Sequence, residues 1–279
     1  GFTWLAVRSG DGGWDDPSFS PAIARQWATK ARERGIQVYS WHYSRPGRAS
    51  QELAHVDRYL SAGMAGHIFN PEVEWAGKRD EAKVLVTLIR QRFTEAGHYV
   101  AYAPMGWKSL HGNWPYAEWG KLGDVHPQMY WTELRRGLYN EAFANELQRY
   151  ASGAHAEAGV YCPIGVTYGR ESSFFAGLPQ KPPGALSDRD LWRFLDHASG
   201  CETWSLYSYE AAEPEALAYI AKESWMWKPK PEAPAPEPEP ETKPEPVIEL
   251  DPVEPAPTST VCEPAPSLLA RAKRFFGFQ

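Results

Sequence analysis

Seven short apolar runs, separated by stretches of helical periodicity, are the strongest constraint on what this chain can fold into. The runs cover residues 2–8, 36–43, 66–75, 99–104, 125–131, 160–166 and 203–209. Between them, residues 20–34, 50–62, 80–96, 139–151 and 188–198 place apolar side chains at three- and four-residue spacings. Ile23, Trp27 and Ala31 define one such face, and Val84, Leu85, Leu88, Ile89 and Phe93 define another. Strands alternating with helices across short loops predict a parallel sheet, because parallel neighbours need a crossover that a helix supplies. The expected class is therefore α/β, a (β/α)8 TIM-type barrel. Only seven strands are present before Trp227, so a first βα unit is expected to lie ahead of Gly1. An open doubly wound sheet is disfavoured, since no glycine-rich phosphate loop follows any strand.

The pattern stops at residue 227. Residues 228–266 are a Pro/Glu-rich tract without periodicity, which cannot bury enough apolar surface to offset its ordering entropy and reads as an extended, disordered linker. Residues 267–279 form a short basic amphipathic segment. Leu268, Leu269, Ala272, Phe275 and Phe276 fall near one face, beside Arg271, Lys273 and Arg274. Such a segment is suited to weak contact with an anionic membrane or a protein. Domain boundaries are thus expected at 1–227, 228–266 and 267–279.

In a parallel barrel the functional groups gather at the C-terminal strand ends. Here those ends carry Asp11, then Trp41, His42 and Tyr43, then Glu72 and Glu74, then Tyr102, then Gln128, Tyr130 and Trp131, then Tyr168, and last Tyr209 and Glu210. The opposite ends, with Thr3, Ile36, Val100 and Val160, are plain. If the third strand runs through Trp75, Glu72 and Glu74 project from one face about 7 Å apart. Paired carboxylates at about 5–10 Å are what glycoside hydrolysis requires. Burial beside Trp75 or Tyr102, or an ionised Glu72, would keep Glu74 protonated near neutral pH. The 13 Trp and 14 Tyr supply rings suited to stacking on sugars as well as to a core. A net charge of −6 gives no reason to expect nucleic acid as a partner. His42, His126 and a glutamate meeting at the mouth would be a metal site, but the chain has no HExxH and no Cys/His cluster, so neither a metal nor another cofactor is expected. Cys162, Cys201 and Cys262 are too few and too scattered for a disulfide framework. No GxSxG is present, and Cys162 falls inside an apolar strand where a thiol is inert. No signal peptide or apolar run long enough to span a membrane is visible.

An acid-x-Glu at the end of a central strand, an acid after an early strand, Trp41-His42-Tyr43 and Pro127-Gln128-Met129-Tyr130-Trp131 together resemble glycoside hydrolase family 25, the lysozyme-like muramidases, and related barrels of phages and actinobacteria. The resemblance implies a glycosidase acting at the cell wall on peptidoglycan or a related N-acetylated glycan. It makes Glu74 the general acid and puts Glu72 in place of the family's strand-end Asp, with Asp11 at the early acidic position. Gln128, Tyr130 and Trp131 would line the sugar groove, with Trp41, His42, Tyr43, Tyr102, Tyr209 and Glu210 as further substrate contacts. The competing expectation is a non-catalytic carbohydrate-binding barrel that serves as a wall-anchoring or virion-associated module. A third is a hydrolase of α-glucan or another polysaccharide on the same barrel.

Overall fold

The computed structural model describes residues 3–105, 111–130, 162–166, 188–198, 201, 203–207 and 218, all within one compact unit, Gly1–Pro229. Strand β1 (Trp4–Asp11) turns through Gly12 and Gly13 into a two-residue strand β2 (Trp14–Asp15). Helix α1 (Pro21–Arg32) is capped by the Ser20 hydroxyl, which accepts from the Ile23 N–H, has proline in its first turn, and is followed by Gly35 at φ 70°. Next come β3 (Gln37–Ser44), α2 (Ala49–Ser61) and β4 (Gly66–Pro71). A 3-10 turn at Val73–Trp75 leads to α3 (Arg79–Ile89), which continues as a π-helical turn over Arg90–Thr94. Strand β5 (Tyr99–Tyr102) and helix α4 (Tyr116–Gly120) follow, then β6 (Ile164–Val166), α5 (Asp188–Ala198) and β7 (Ser205–Tyr207).

β1, β3, β4 and β5 are parallel neighbours in that order, and β2 adds antiparallel to the outer end of β1. β6 and β7 form a second parallel pair. Parallel bridges Tyr102–Val125, Met105–Gln128 and Gln128–Ile164 carry the order from β5 across to β6. The chain is thus mixed α/β around a parallel sheet. Among the described residues no ladder joins β7 back to β1, and residues 125–131 contribute bridges at Val125 and Gln128 where a full strand is expected. The helix expected over 139–151 and everything from 221 onward, including the linker and the basic segment, lie outside the described residues.

The two faces of the sheet have different tasks. On one, Val38 packs with Phe19, Ala24, Ala28, Tyr59, Ala62 and Met64 beneath α1 and α2. On the other, Ile68, Ala101 and Ala103 pack with Tyr39, Trp41, Tyr99 and Ile164. Burial of whole helix faces at roughly 25 cal/mol per Å² of apolar surface holds the layers together. Two expected faces hold in part, with Ile23 and Ala31 on α1 and Leu85, Ile89 and Phe93 on α3 and its π-helical turn packed inward, and shift by a residue elsewhere. On α1 the buried residues are Ala24 and Ala28, while Trp27 is 47% exposed and meets Phe19 edge-on. On α3 Ala82 and Val86 are buried in place of Val84. Close helix–sheet contact favours the small alanines and leaves the bulkier side chains at the rim.

Gly66 marks a close contact between the parallel strands β4 and β5. A Cβ there would lie 2.5 Å from the Tyr99 carbonyl oxygen and 2.8 Å from Tyr99 Cβ. Gly66→Ala should therefore push β4 from β5 and cost about 1–3 kcal/mol, as overpacking typically does. The check is a lower urea midpoint at unchanged m-value; an unchanged midpoint would show that the ladder gives way without cost.

Candidate active site

β4 does not run on to Trp75. Pro71 is its last residue, pairing with Ser44, and proline has no N–H to extend the ladder. The chain then winds into the 3-10 turn, with the Trp75 N–H on the Glu72 carbonyl at 3.1 Å. Burial of Trp75 drives the winding. Its indole N–H reaches the Ser44 carbonyl at 3.0 Å and its ring meets Trp119 edge-on at 5.2 Å, leaving it 1% exposed. Glu72 and Glu74 consequently do not share a strand face, and Glu74 is swung outward, its side chain 37% exposed. The burial expected to keep Glu74 protonated is absent.

Glu72 keeps the two-residue period of the strand, following Ile68 and Asn70. Its backbone is extended, at φ −111° and ψ −154°. Asn70 Nδ2 donates to Glu72 Oε1 at 3.1 Å, and Gln128 Nε2 donates to Asn70 Oδ1 at 2.7 Å and to the Ala103 carbonyl at 3.0 Å. This amide chain fixes the Asn70 flip: its oxygen accepts, so its NH2 faces the carboxylate. From behind, the Trp114 indole N–H donates to the Glu72 carbonyl at 2.9 Å. Tyr43 faces the same space. Burial pushes its hydroxyl well above the ordinary range; nearby Glu72, Tyr207 and Asp11 push it the same way and Arg8 opposes them. The Arg8 guanidinium lies 5.2 Å over the Tyr43 ring. Tyr130 stacks on Tyr207 at 5.4 Å, which brings both strand ends to this region.

Arg45, just past β3, ties the acids together. Its Nε and Nη2 donate to Asp11 at 2.7 and 3.1 Å, and its Nη1 pairs with Glu74. Desolvation opposes the Arg45 charge, but the contacts to Asp11 and Glu74 more than offset it and raise its pKa further.

The structure thus gathers Asp11, Tyr43, Glu72, Gln128 and Tyr130 at the C-terminal ends of the strands, with Trp41 against Tyr43 at 5.3 Å and Glu74 attached through Arg45. Two expected contacts fall elsewhere because a strand turns alternate side chains to opposite faces. Tyr102 is fully buried on the helix side, stacked on Trp119 at 6.0 Å. His42 is also fully buried there, in a network beneath α2. His42 Nδ1 lies 2.6 Å from His67 Nε2, and His67 Nδ1 lies 2.7 Å from the Ser40 hydroxyl. His42 Nε2 is 3.4 Å from the buried Glu52 carboxylate, which accepts from the Ser44 hydroxyl at 2.7 Å and from the Arg45 N–H. One direction suits the whole chain: Ser40 donates to His67 and His67 to His42, which leaves the His42 Nε2–H on the side of the Glu52 carboxylate without a formed hydrogen bond. The reverse direction would set a lone pair against a carboxylate. His126 bonds the Tyr99 hydroxyl at 2.8 Å on the other face, so the two histidines weighed as metal ligands are apart. Among the described residues no group of three or more His, Cys, Asp or Glu is placed to hold a metal. Trp131, Tyr168, Tyr209 and Glu210 lie outside the described residues.

Sequence reasoning passed over Asn70, Arg45 and Arg8. Asn70 had a visible signal, since it stands two residues before Glu72 and so shares its face. For Arg45, just past the aromatic end of β3, only the three-dimensional approach of two acids reveals the role.

No protein-family model matches the chain, and no curated protein matches it. Among solved structures it is similar to a chitinase from Chromobacterium violaceum, with a TM-score of 0.57 over 79% of this chain and 91% of that one, at 12% identity. At that identity the likeness is one of fold: a mixed α/β chain with a parallel sheet, of the architecture seen in that chitinase. A Bacillus subtilis protein described as a sporulation-specific glycosylase aligns more weakly, with a TM-score of 0.42 and 12% identity over 70% of this chain and 71% of its own, and carries no weight here.

Proposed function

We propose that this chain is a glycoside hydrolase acting on an N-acetylated glycan, peptidoglycan or a close relative, with Glu72 as the general acid. The observation that carries the reading is the Asn70–Glu72 pair at the end of β4, held by Gln128 and facing Tyr43. A neutral amide donating to a carboxyl group does not commit it to the charged form as a guanidinium does. An ion-paired carboxylate such as Glu74, by contrast, serves as an acceptor for its guanidinium. The pair expected at Glu72-Val73-Glu74 is thus replaced, one step earlier in the strand period, by Asn70-Pro71-Glu72, with an amide where the expected motif has an acid. In the reaction Glu72 gives its proton to the glycosidic oxygen, and the C1–O bond breaks with its electron pair passing to that oxygen. Water adds at C1, and its spare proton restores the carboxyl group. Tyr130, half-buried beside Tyr207, offers aromatic surface to the ring being cleaved, while Tyr43 and Trp41 are packed into the fold at its edge. Similarity in fold to a chitinase agrees with this reading.

The test is release of reducing ends from purified peptidoglycan and from chitin oligosaccharides by the whole chain. Release from either supports hydrolysis, and the preferred polymer names the substrate class. Retention on both glycans with no release over hours would favour the non-catalytic binding module.

A further inference from the structure

The β1–β2 hairpin presents a large side chain that the core does not use. Trp14 is 59% exposed, the most open large apolar side chain among the described residues. Its antiparallel partner is Asp11, and side chains directly opposite in such a pair stand on the same side of the ladder. The next pair fixes which side that is. Asp15 bonds His55 and Arg58 on α2, and a Cβ on its partner Gly10 would lie 2.8 Å from His55 Cε1. Gly10 and Asp15 therefore face α2, and Asp11 and Trp14 face the mouth, where Arg45 holds Asp11.

The platform is also rigid. Gly12 and Gly13, at φ 55° and 92°, make the two-residue turn, and the Gly12 N–H donates to the Tyr43 carbonyl at 2.7 Å. A Cβ on Gly12 would lie 2.7 Å from Arg45 Cγ, and one on Gly13 would lie 2.7 Å from the Gln51 carbonyl carbon. Trp14, Asp11, Tyr43 and Asn70 are successive ladder partners across four strands, which sets Trp14 about 14 Å from Asn70 at ~4.8 Å per strand. Arg45 has five N–H groups, and its bonds to Asp11 and Glu74 occupy three of them.

Resting on the glycosidase reading above, we infer that Trp14 is the stacking platform of a distal sugar subsite. A pyranose ring of the same glycan chain, beyond the ring cleaved at Glu72, lies on the indole while Asp11 and Arg45 bond its hydroxyls. A rigid ring stacked on an exposed indole gains affinity at little entropic cost.

Trp14→Ala should raise KM about tenfold for long chitin oligosaccharides or peptidoglycan strands, with kcat unchanged. For the shortest oligosaccharide that is cleaved, KM should stay within twofold, and Trp14→Phe should restore most of the loss. The melting temperature should not move, because the ring is exposed. An unchanged KM on long chains would overturn the subsite, and so would an equal rise on short and long ones. If the wild-type chain cleaves neither glycan, the glycosidase reading fails. The subsite is then read by affinity electrophoresis in gels containing soluble glycol chitin. Retardation lost in Trp14→Ala and kept in Trp14→Phe upholds it, and equal retardation of wild type and Trp14→Ala overturns it.

Discussion

Glu72→Gln lowers glycan hydrolysis by about 10²–10⁴-fold, the usual contribution of a general acid, while leaving glycan binding and melting temperature close to wild type. The amide matches the carboxyl in shape and still accepts from Asn70 Nδ2, so the local scaffold persists. What it lacks is a proton to place on the leaving oxygen. Glu74→Gln is the necessary counterpart. It weakens the contact with Arg45 at a partly exposed site, so activity should fall by less than tenfold. Initial rates of reducing-end release for both variants decide between the acids. A Glu74→Gln enzyme that is dead beside a nearly active Glu72→Gln enzyme would return the role to Glu74, where the family resemblance puts it. Loss of folding in Glu72→Gln would instead mark the residue as structural.

Acid should unfold the protein well before its carboxylates titrate as a group. Burial holds His55 at about 2 and His126 at about 3, and it holds His67 well below the ordinary histidine value, with His42 and His55 nearby adding to the effect. Unfolded histidine takes up its proton near pH 6.5. As pH falls below that value the unfolded chain binds protons that the folded one refuses, so stability declines with falling pH. Three such groups give a slope of up to about 4 kcal/mol per pH unit between pH 6 and pH 4, comparable to the whole stability of an ordinary domain within a few units. Urea midpoints at pH 7.5, 6.5, 5.5 and 4.5 measure it. A flat profile down to pH 5 would mean that the buried histidines take up protons in place. His55→Asn should reduce the slope by about one proton, provided that the bond to Ser9 survives.

Periodicity alone determined most of the frame. The strand at 36–43 and the helices at 50–62 and 188–198 stand within a residue or two of where apolar spacing puts them, because burial of one face is a local demand on sequence. The parallel sheet followed from alternation, and collection of polar and aromatic groups at one set of strand ends followed from the parallel sheet. Asp11, Tyr43, Glu72, Gln128 and Tyr130 were legible as one constellation on that basis. Tertiary structure alone decided what each sheet face packs against and where a strand stops. Trp75 buries against Trp119 and bonds Ser44, so the chain leaves β4 at Pro71 and turns Glu74 out to Arg45. That winding rests on a partner 44 positions further along the chain, which no local pattern encodes. For His42 and Tyr102 strand alternation already turns each from the face of its neighbours, and tertiary structure decided what receives them. Their strand register sends them beneath the helices, into a histidine network and an aromatic stack whose members come from separate elements. Sequence spacing could name the acids at the strand ends and set Asn70 beside Glu72; only long-range packing assigned Glu74 to the Arg45 guanidinium.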